Sequence, residues 1–205
     1  MLPLPPSLSL DFERALRFAA VGHRDQARKG SGVPYIEHPM AVALILDRAG
    51  FDESVVIAGL LHDLVEDTAV TLDQVHDQFG AAVAGIVDRC SETKLDASGA
   101  KRPWIDRKRD HLAALAGAPE AVRAVVLADK LHNLLSIRLD LLEGRPVWDS
   151  FNAGRDGVLW YHRAMIEACQ SDDPRLASLA AGAKALLDTV AGVGAKFSRN
   201  DPVEG

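Results

Sequence analysis

Cysteine is nearly absent from this chain: Cys90 and Cys169 are the two thiols among 205 residues. They lie far apart and form no CxxC, which excludes a disulfide-stapled mini-fold and a zinc ribbon and predicts free thiols in a reducing, cytoplasmic setting. Aromatic residues contribute only 5% while alanine and leucine are abundant, a mixture that favours packed helices over a β-sandwich. The opening Met1-Leu2-Pro3-Leu4-Pro5-Pro6 lacks the basic and apolar regions of a signal peptide. No uninterrupted apolar run reaches the ~18 residues of a membrane span, so no membrane partner is expected. Positive charge is not in excess either. A formal net charge of −6 excludes a protein that coats nucleic acid with its whole surface, while a local basic site for a small anion stays open.

What is present is apolar residue in quantity, 48%, arranged with helical periodicity. The length suits one domain. Residues 1–9 read as an extended proline-rich lead-in, 10–192 as a single all-α bundle and 193–205 as a flexible tail. Within the bundle, a helical stripe over Asp11 to Lys29 is broken by Gly30-Ser31-Gly32-Val33-Pro34. A second helix begins near His38-Pro39 and runs to Arg48, with Gly50 beyond its end. A third, Val55 to Asp67, is apolar on almost every face and belongs at the centre. Further helices are predicted from Thr71 to Gly80, Ala81 to Thr93, Trp104 to Ala116 and Pro119 to Leu142, then over 155–170 and 174–191. A polar loop spans Lys94 to Pro103. There is no internal repeat, and nothing sets an oligomeric state.

Three segments carry ionisable groups inside apolar surroundings. Leu60-Leu61-His62-Asp63-Leu64-Val65-Glu66-Asp67 ends the most apolar helix with four of them. Unpaired charges buried there cost several kcal/mol each, on the order of what a divalent cation bound between helices would offset. His62 and Asp63, about 100° apart around a helix, can lean towards one metal, with Glu66 and Asp67 one turn further on. In Leu127-Ala128-Asp129-Lys130-Leu131-His132-Asn133 an acid again interrupts an apolar helix. The third segment places His38 directly before Pro39. Alone, each has a plain structural reading: solvated acids at a helix end, an acid paired with a basic neighbour, a histidine cap.

In combination, the order His38…His62-Asp63…Asp129 resembles the HD phosphohydrolase superfamily. The flanking runs His23-Arg24-Asp25-Gln26-Ala27-Arg28-Lys29, Pro34-Tyr35-Ile36-Glu37-His38-Pro39, Gly59 to Thr68 and Leu127 to Asn133 resemble, more narrowly, the hydrolase domain of RelA/SpoT enzymes in its small alarmone hydrolase form. That resemblance implies an all-α HD-type domain. It implies Mn²⁺, or another divalent transition metal, on His38, His62, Asp63 and Asp129, with Glu66 and Asp67 as the catalytic pair. It also implies Arg28, Lys29, Asn133 and Ser136 as substrate contacts, with Tyr35 either stacking on the nucleotide or serving the core. The reaction implied is hydrolysis of the 3′-pyrophosphate of guanosine tetra- and pentaphosphate to GDP or GTP and pyrophosphate. Arg28 and Lys29 favour a polyanionic small molecule but do not separate guanine from adenine. An HD phosphohydrolase of another nucleotide (an adenosine alarmone, NADPH) and a non-catalytic metal-binding regulator stand as alternatives. Arg107 and Lys108 are expected on a solvated face, with phosphate contact as the alternative, and His132 and His162 on the surface or in packing roles. Leu135 and the stretch 145–170 depart from the long family members.

Overall fold

Residues 9–193 are described by the computed structural model, so the lead-in (apart from Ser9) and the tail (apart from Val193) lie outside the described residues. The chain forms α1 (Leu10–Gly22), α2 (Glu37–Arg48), α3 (Glu53–Leu61), α4 (Leu64–Asp67), α5 (Leu72–Cys90), α6 (Trp104–Leu115), α7 (Glu120–Leu142), a short 3₁₀ turn (Val147–Ser150), α8 (Gly154–Ala168) and α9 (Pro174–Val193). Among the described residues no strand forms; two isolated antiparallel bridges, Ala27 with Pro34 and Leu95 with Lys101, brace loops.

Local chemistry explains several boundaries. Ser9 caps α1 by accepting the Phe12 amide, and Thr71 with Gln74 forms a reciprocal capping box at the start of α5. Gly80, at φ 83°, breaks α5 into the two predicted segments. Two expectations need correction. α1 ends at Gly22 and does not reach Lys29; beyond it Arg28 donates its amide to Val33 and Tyr35 donates to Gln26, so Arg28 and Lys29 ride on a turn held across the Ala27–Pro34 bridge. The helix read as continuous to Asp67 stops at Leu61, and α4 starts again at Leu64. There the His62 Nδ1–H donates to the Gly59 carbonyl at 2.7 Å, competing with the backbone ladder for that acceptor.

The core is one cluster centred on α3, whose residues from Val55 to Leu61 are all buried. Gly59 lets α2 approach closely: a Cβ there would collide with Leu46 and crowd Val42. α2 and α7 flank α3, and α9 lies along α7. By length and composition α9 is apolar enough to cross a membrane, which a search for uninterrupted runs misses because Arg175, Lys184 and Asp188 punctuate it. Its Leu176, Leu179, Ala180, Ala183, Leu187 and Val190 are buried in the bundle. This packing sets α2, the α3–α4 break and α7 side by side.

Candidate metal centre and adjoining cavity

His38 sits in the first turn of α2, His62 at the end of α3, Asp63 at the start of α4 and Asp129 in the middle of α7. The fold brings all four together. His38 Nε2 lies 3.1 Å from Asp129 Oδ1 and 3.5 Å from Asp63 Oδ2. His62 Nε2 lies 3.3 Å from Asp63 Oδ1 and 4.0 Å from Asp129 Oδ1. One ligand atom each from His38, His62 and Asp129 falls within 4.8 Å of the others. Asp63 stands just outside that tight set, reaching the two imidazoles with different oxygens while Oδ2 accepts the Tyr35 hydroxyl at 2.6 Å.

The donor set fits a divalent cation. With Nδ1–H given to Gly59, neutral His62 carries a bare lone pair on Nε2, an atom that is buried and makes no hydrogen bond among the described residues. A lone pair facing two carboxylates is repulsive unless a cation stands between them. Mixed imidazole and carboxylate donors suit Mn²⁺, Fe²⁺ or Zn²⁺. The acids are held charged. Burial acts upward on Asp63, and positive charge on His62 and His38, with the Tyr35 hydroxyl, overcomes it and keeps the carboxyl below its usual range; with the imidazoles neutral, a cation between them would supply that charge. Burial likewise acts upward on Asp129; Lys130, with Nζ 2.6 Å from Oδ2, holds it well below, and any positive charge on the two histidines acts the same way.

Glu66 and Asp67 occupy α4, beside this cluster. Burial raises Glu66 above the ordinary carboxylate range, partly offset by the Glu92 amide, which donates to Oε2 at 3.1 Å, and by Lys94. Lys94 Nζ sits 3.2 Å from Glu66 Oε1 and 2.5 Å from Asp67 Oδ1, binding both acids from the 91–103 loop. A cavity of about 500 Å³ opens alongside, lined by Arg28, Lys29, Asn133 and Ser136 with Asp67 at one side and Ile137 and Phe151 at its apolar wall. Arg28 Nη2 donates to Asn133 Oδ1 at 2.9 Å, and the Asn133 amide donates to Asp129. The Arg28 guanidinium lies 5.7 Å from the Tyr35 ring centroid. Every residue singled out as a substrate contact therefore faces one cavity.

Other residues came out differently from the sequence. Arg107 and Lys108 lie in no solvated face: both engage Glu92, whose side chain is 6% exposed, and His111 and Tyr161 complete that half-buried network. His132 does more than pack, since it hydrogen-bonds His38 and Glu37. Its position three residues after Asp129 on α7 puts both on one helix face, a signal the sequence did carry. Lys94 lies on an irregular loop with no periodicity to flag it.

A helical bundle in which imidazoles and carboxylates from three segments converge beside a cavity lined by Arg28 and Lys29 together with Asp67 and Asp140 defines the class: an all-α domain with a candidate metal centre. The family model for the HD domain matches residues 15–159, and the chain belongs to that family. It is 42% identical over 133 residues to the guanosine-3′,5′-bis(diphosphate) 3′-pyrophosphohydrolase MESH1 of Homo sapiens, a match covering 63% of this chain and 71% of that protein. It is 42% identical over 127 residues to the GTP pyrophosphokinase of Streptomyces coelicolor, covering 62% of this chain and only 14% of that much longer protein. The match to the Mus musculus MESH1 spans 58% of this chain and 65% of that protein at 44% identity. Among solved structures, a metazoan ortholog of SpoT that hydrolyses ppGpp superposes with a TM-score of 0.72 at 28% identity, covering 92% of this chain and 96% of that one.

Proposed function

We propose that this chain is a divalent-metal-dependent hydrolase that removes the 3′-pyrophosphate of guanosine tetra- and pentaphosphate, leaving GDP or GTP. Residues 10–192 form the catalytic unit, working in the cytoplasm, where its buried thiols stay reduced. The observation that carries the reading is the convergence of His38, His62, Asp63 and Asp129, joined through Tyr35 and Asn133 to a cavity lined by Arg28 and Lys29. The relatives named as ppGpp 3′-pyrophosphohydrolases support it.

His38, His62, Asp63 and Asp129 hold the cation, for which Mn²⁺ is our assignment. When bound, it polarises a phosphoryl oxygen and lowers the pKa of a nearby water. Glu66, raised by burial and positioned by the Glu92 amide, accepts the proton of that water. Asp67 orients it, and Lys94 compensates the charge of the acid pair. The water oxygen bonds to the phosphorus on the 3′ oxygen, that P–O bond breaks, and the leaving 3′ oxygen takes a proton from solvent to become the hydroxyl while Glu66 returns its proton to solvent. Arg28 and Lys29 bind phosphate oxygens, while Asn133, Ser136 and the wall of Ile137 and Phe151 position the nucleoside.

Incubation with guanosine tetraphosphate and Mn²⁺, followed by nucleotide separation, tests this. GDP and pyrophosphate should appear with the wild-type chain and not with Asp63→Ala or Glu66→Ala. Turnover of an adenosine alarmone or NADPH with guanosine tetraphosphate left intact would replace the substrate. Bound Mn²⁺ without turnover of any nucleotide would make the chain a metal-binding regulator.

A further inference from the structure

On its Nδ1 side, away from the cation site, His38 begins a hydrogen-bond chain that runs through His132 to Glu37. His38 Nδ1 and His132 Nδ1 lie 2.8 Å apart, and His132 Nε2 lies 3.1 Å from Glu37 Oε1. Both imidazoles are buried, at 1% and 5% exposure, whereas the Glu37 side chain is half exposed. Two nitrogens at 2.8 Å share one proton, so the chain must have a direction.

Glu37 supplies that direction. Its carboxylate can only accept, so His132 must carry a proton on Nε2. A neutral His132 protonated there has a bare Nδ1, and that nitrogen can only accept. The shared proton therefore belongs to His38 Nδ1. Neutral His38 is then left with a bare lone pair on Nε2, the nitrogen that faces Asp129 and Asp63 at 3.1 and 3.5 Å. His62 reaches the same state by a shorter route, through the Gly59 carbonyl.

We infer that Glu37 and His132 are positioning residues that lock His38 in the tautomer able to bind the metal, through the hydrogen-bond chain Glu37–His132–His38. The arrangement ties the neighbours of two ligands together: Glu37 precedes His38 on α2, and His132 follows Asp129 by three residues on α7. One hydrogen-bond chain thus clasps α2 to α7 at the point where each contributes a ligand. Partners of this kind, on the far nitrogen of a ligating histidine, typically change metal affinity 10–100-fold when removed. The inference rests on the metal-centre reading but not on the identity of the nucleotide.

The test reads tautomers and metal affinity on the full chain without substrate. In ¹⁵N-histidine-labelled protein loaded with diamagnetic Zn²⁺, long-range ¹H–¹⁵N spectra should place the proton of His38 on Nδ1 and that of His132 on Nε2. Mn²⁺ affinity by chelator competition should fall roughly 10–100-fold in His132→Phe. It should recover substantially in His132→Asn, whose Oδ1 can accept from His38 Nδ1 in place of the imidazole nitrogen. Glu37→Ala, at a half-exposed position that cannot compromise folding by burial, should lower affinity several-fold. A His38 proton on Nε2, or wild-type affinity in both His132→Phe and Glu37→Ala, overturns the inference. A wild-type chain that binds no cation overturns it together with the metal-centre reading, whereas metal binding without pyrophosphate release overturns only the substrate.

Discussion

The Tyr35 hydroxyl donates to Asp63 Oδ2 at 2.6 Å, and Tyr35 links Asp63 to the Arg28 turn of the cavity as Asn133 links Asp129 to it. Removing that donor leaves one Asp63 oxygen free to rotate. Tyr35→Phe should therefore weaken Mn²⁺ binding roughly 10-fold while preserving the aromatic packing against His23. Chelator competition checks it; unchanged affinity would assign Tyr35 to packing alone.

Lys94 holds the acid pair, and its removal should show in the pH profile. Lys94 favours the charged form of Glu66, so losing it raises the Glu66 carboxyl further. The basic form then exists only at higher pH. In Lys94→Ala the acid limb of kcat/KM should move upward in pH, with the loss of rate largest at the acid end. A profile of unchanged shape with uniformly lower rate would mean that Lys94 binds phosphate and leaves the acids alone.

Arg28 has two partners, the Asn133 amide oxygen and the Tyr35 ring, and lines the cavity. Arg28→Ala should raise KM for guanosine tetraphosphate about 10-fold or more, the scale of one charge-assisted contact. Metal affinity should change little. A loss confined to kcat would place Arg28 at the reacting phosphorus.

His162 supplies a stability prediction. Burial, then the neighbouring Lys130, pushes its imidazole down to about 4 from an ordinary 6.5. As pH falls, the unfolded chain takes up this proton first. The contribution is intact above 6.5, declines below it and is gone near 4, a total on the order of 3 kcal/mol. His162→Phe should flatten the stability slope between pH 6.5 and 4 in denaturant titrations. A slope identical to wild type would mean that His162 is solvated in the fold.

Much of this molecule can be read without coordinates because its helices obey simple periodicity. The apolar run before His62, the proline after His38 and the acid embedded in α7 each mark a site element by local contrast. The helix break at His62-Asp63 could not be read that way: it depends on a side chain taking the Gly59 carbonyl, and a continuous apolar pattern conceals it. The α1 boundary escaped for a related reason, since only the pairing of Ala27 with Pro34 shows that the basic residues sit on a turn. Lys94, Glu92 and the pairing of Glu37 with His132 act through contacts made across 26 to 95 residues of sequence; spacing places His132 on the face of Asp129 but does not reveal its partner. Arg107 and Lys108 look like surface charge until Glu92 is seen buried beneath them.

We propose that His38, His62, Asp63 and Asp129 share one cation. Equilibrium Mn²⁺ binding by calorimetry, on metal-stripped wild type and on Asp129→Ala, tests it most directly. The account predicts one tight site per chain, lost in the variant while helical content is retained. A wild-type chain that takes up no Mn²⁺, or an Asp129→Ala chain that binds it undiminished, would contradict the account.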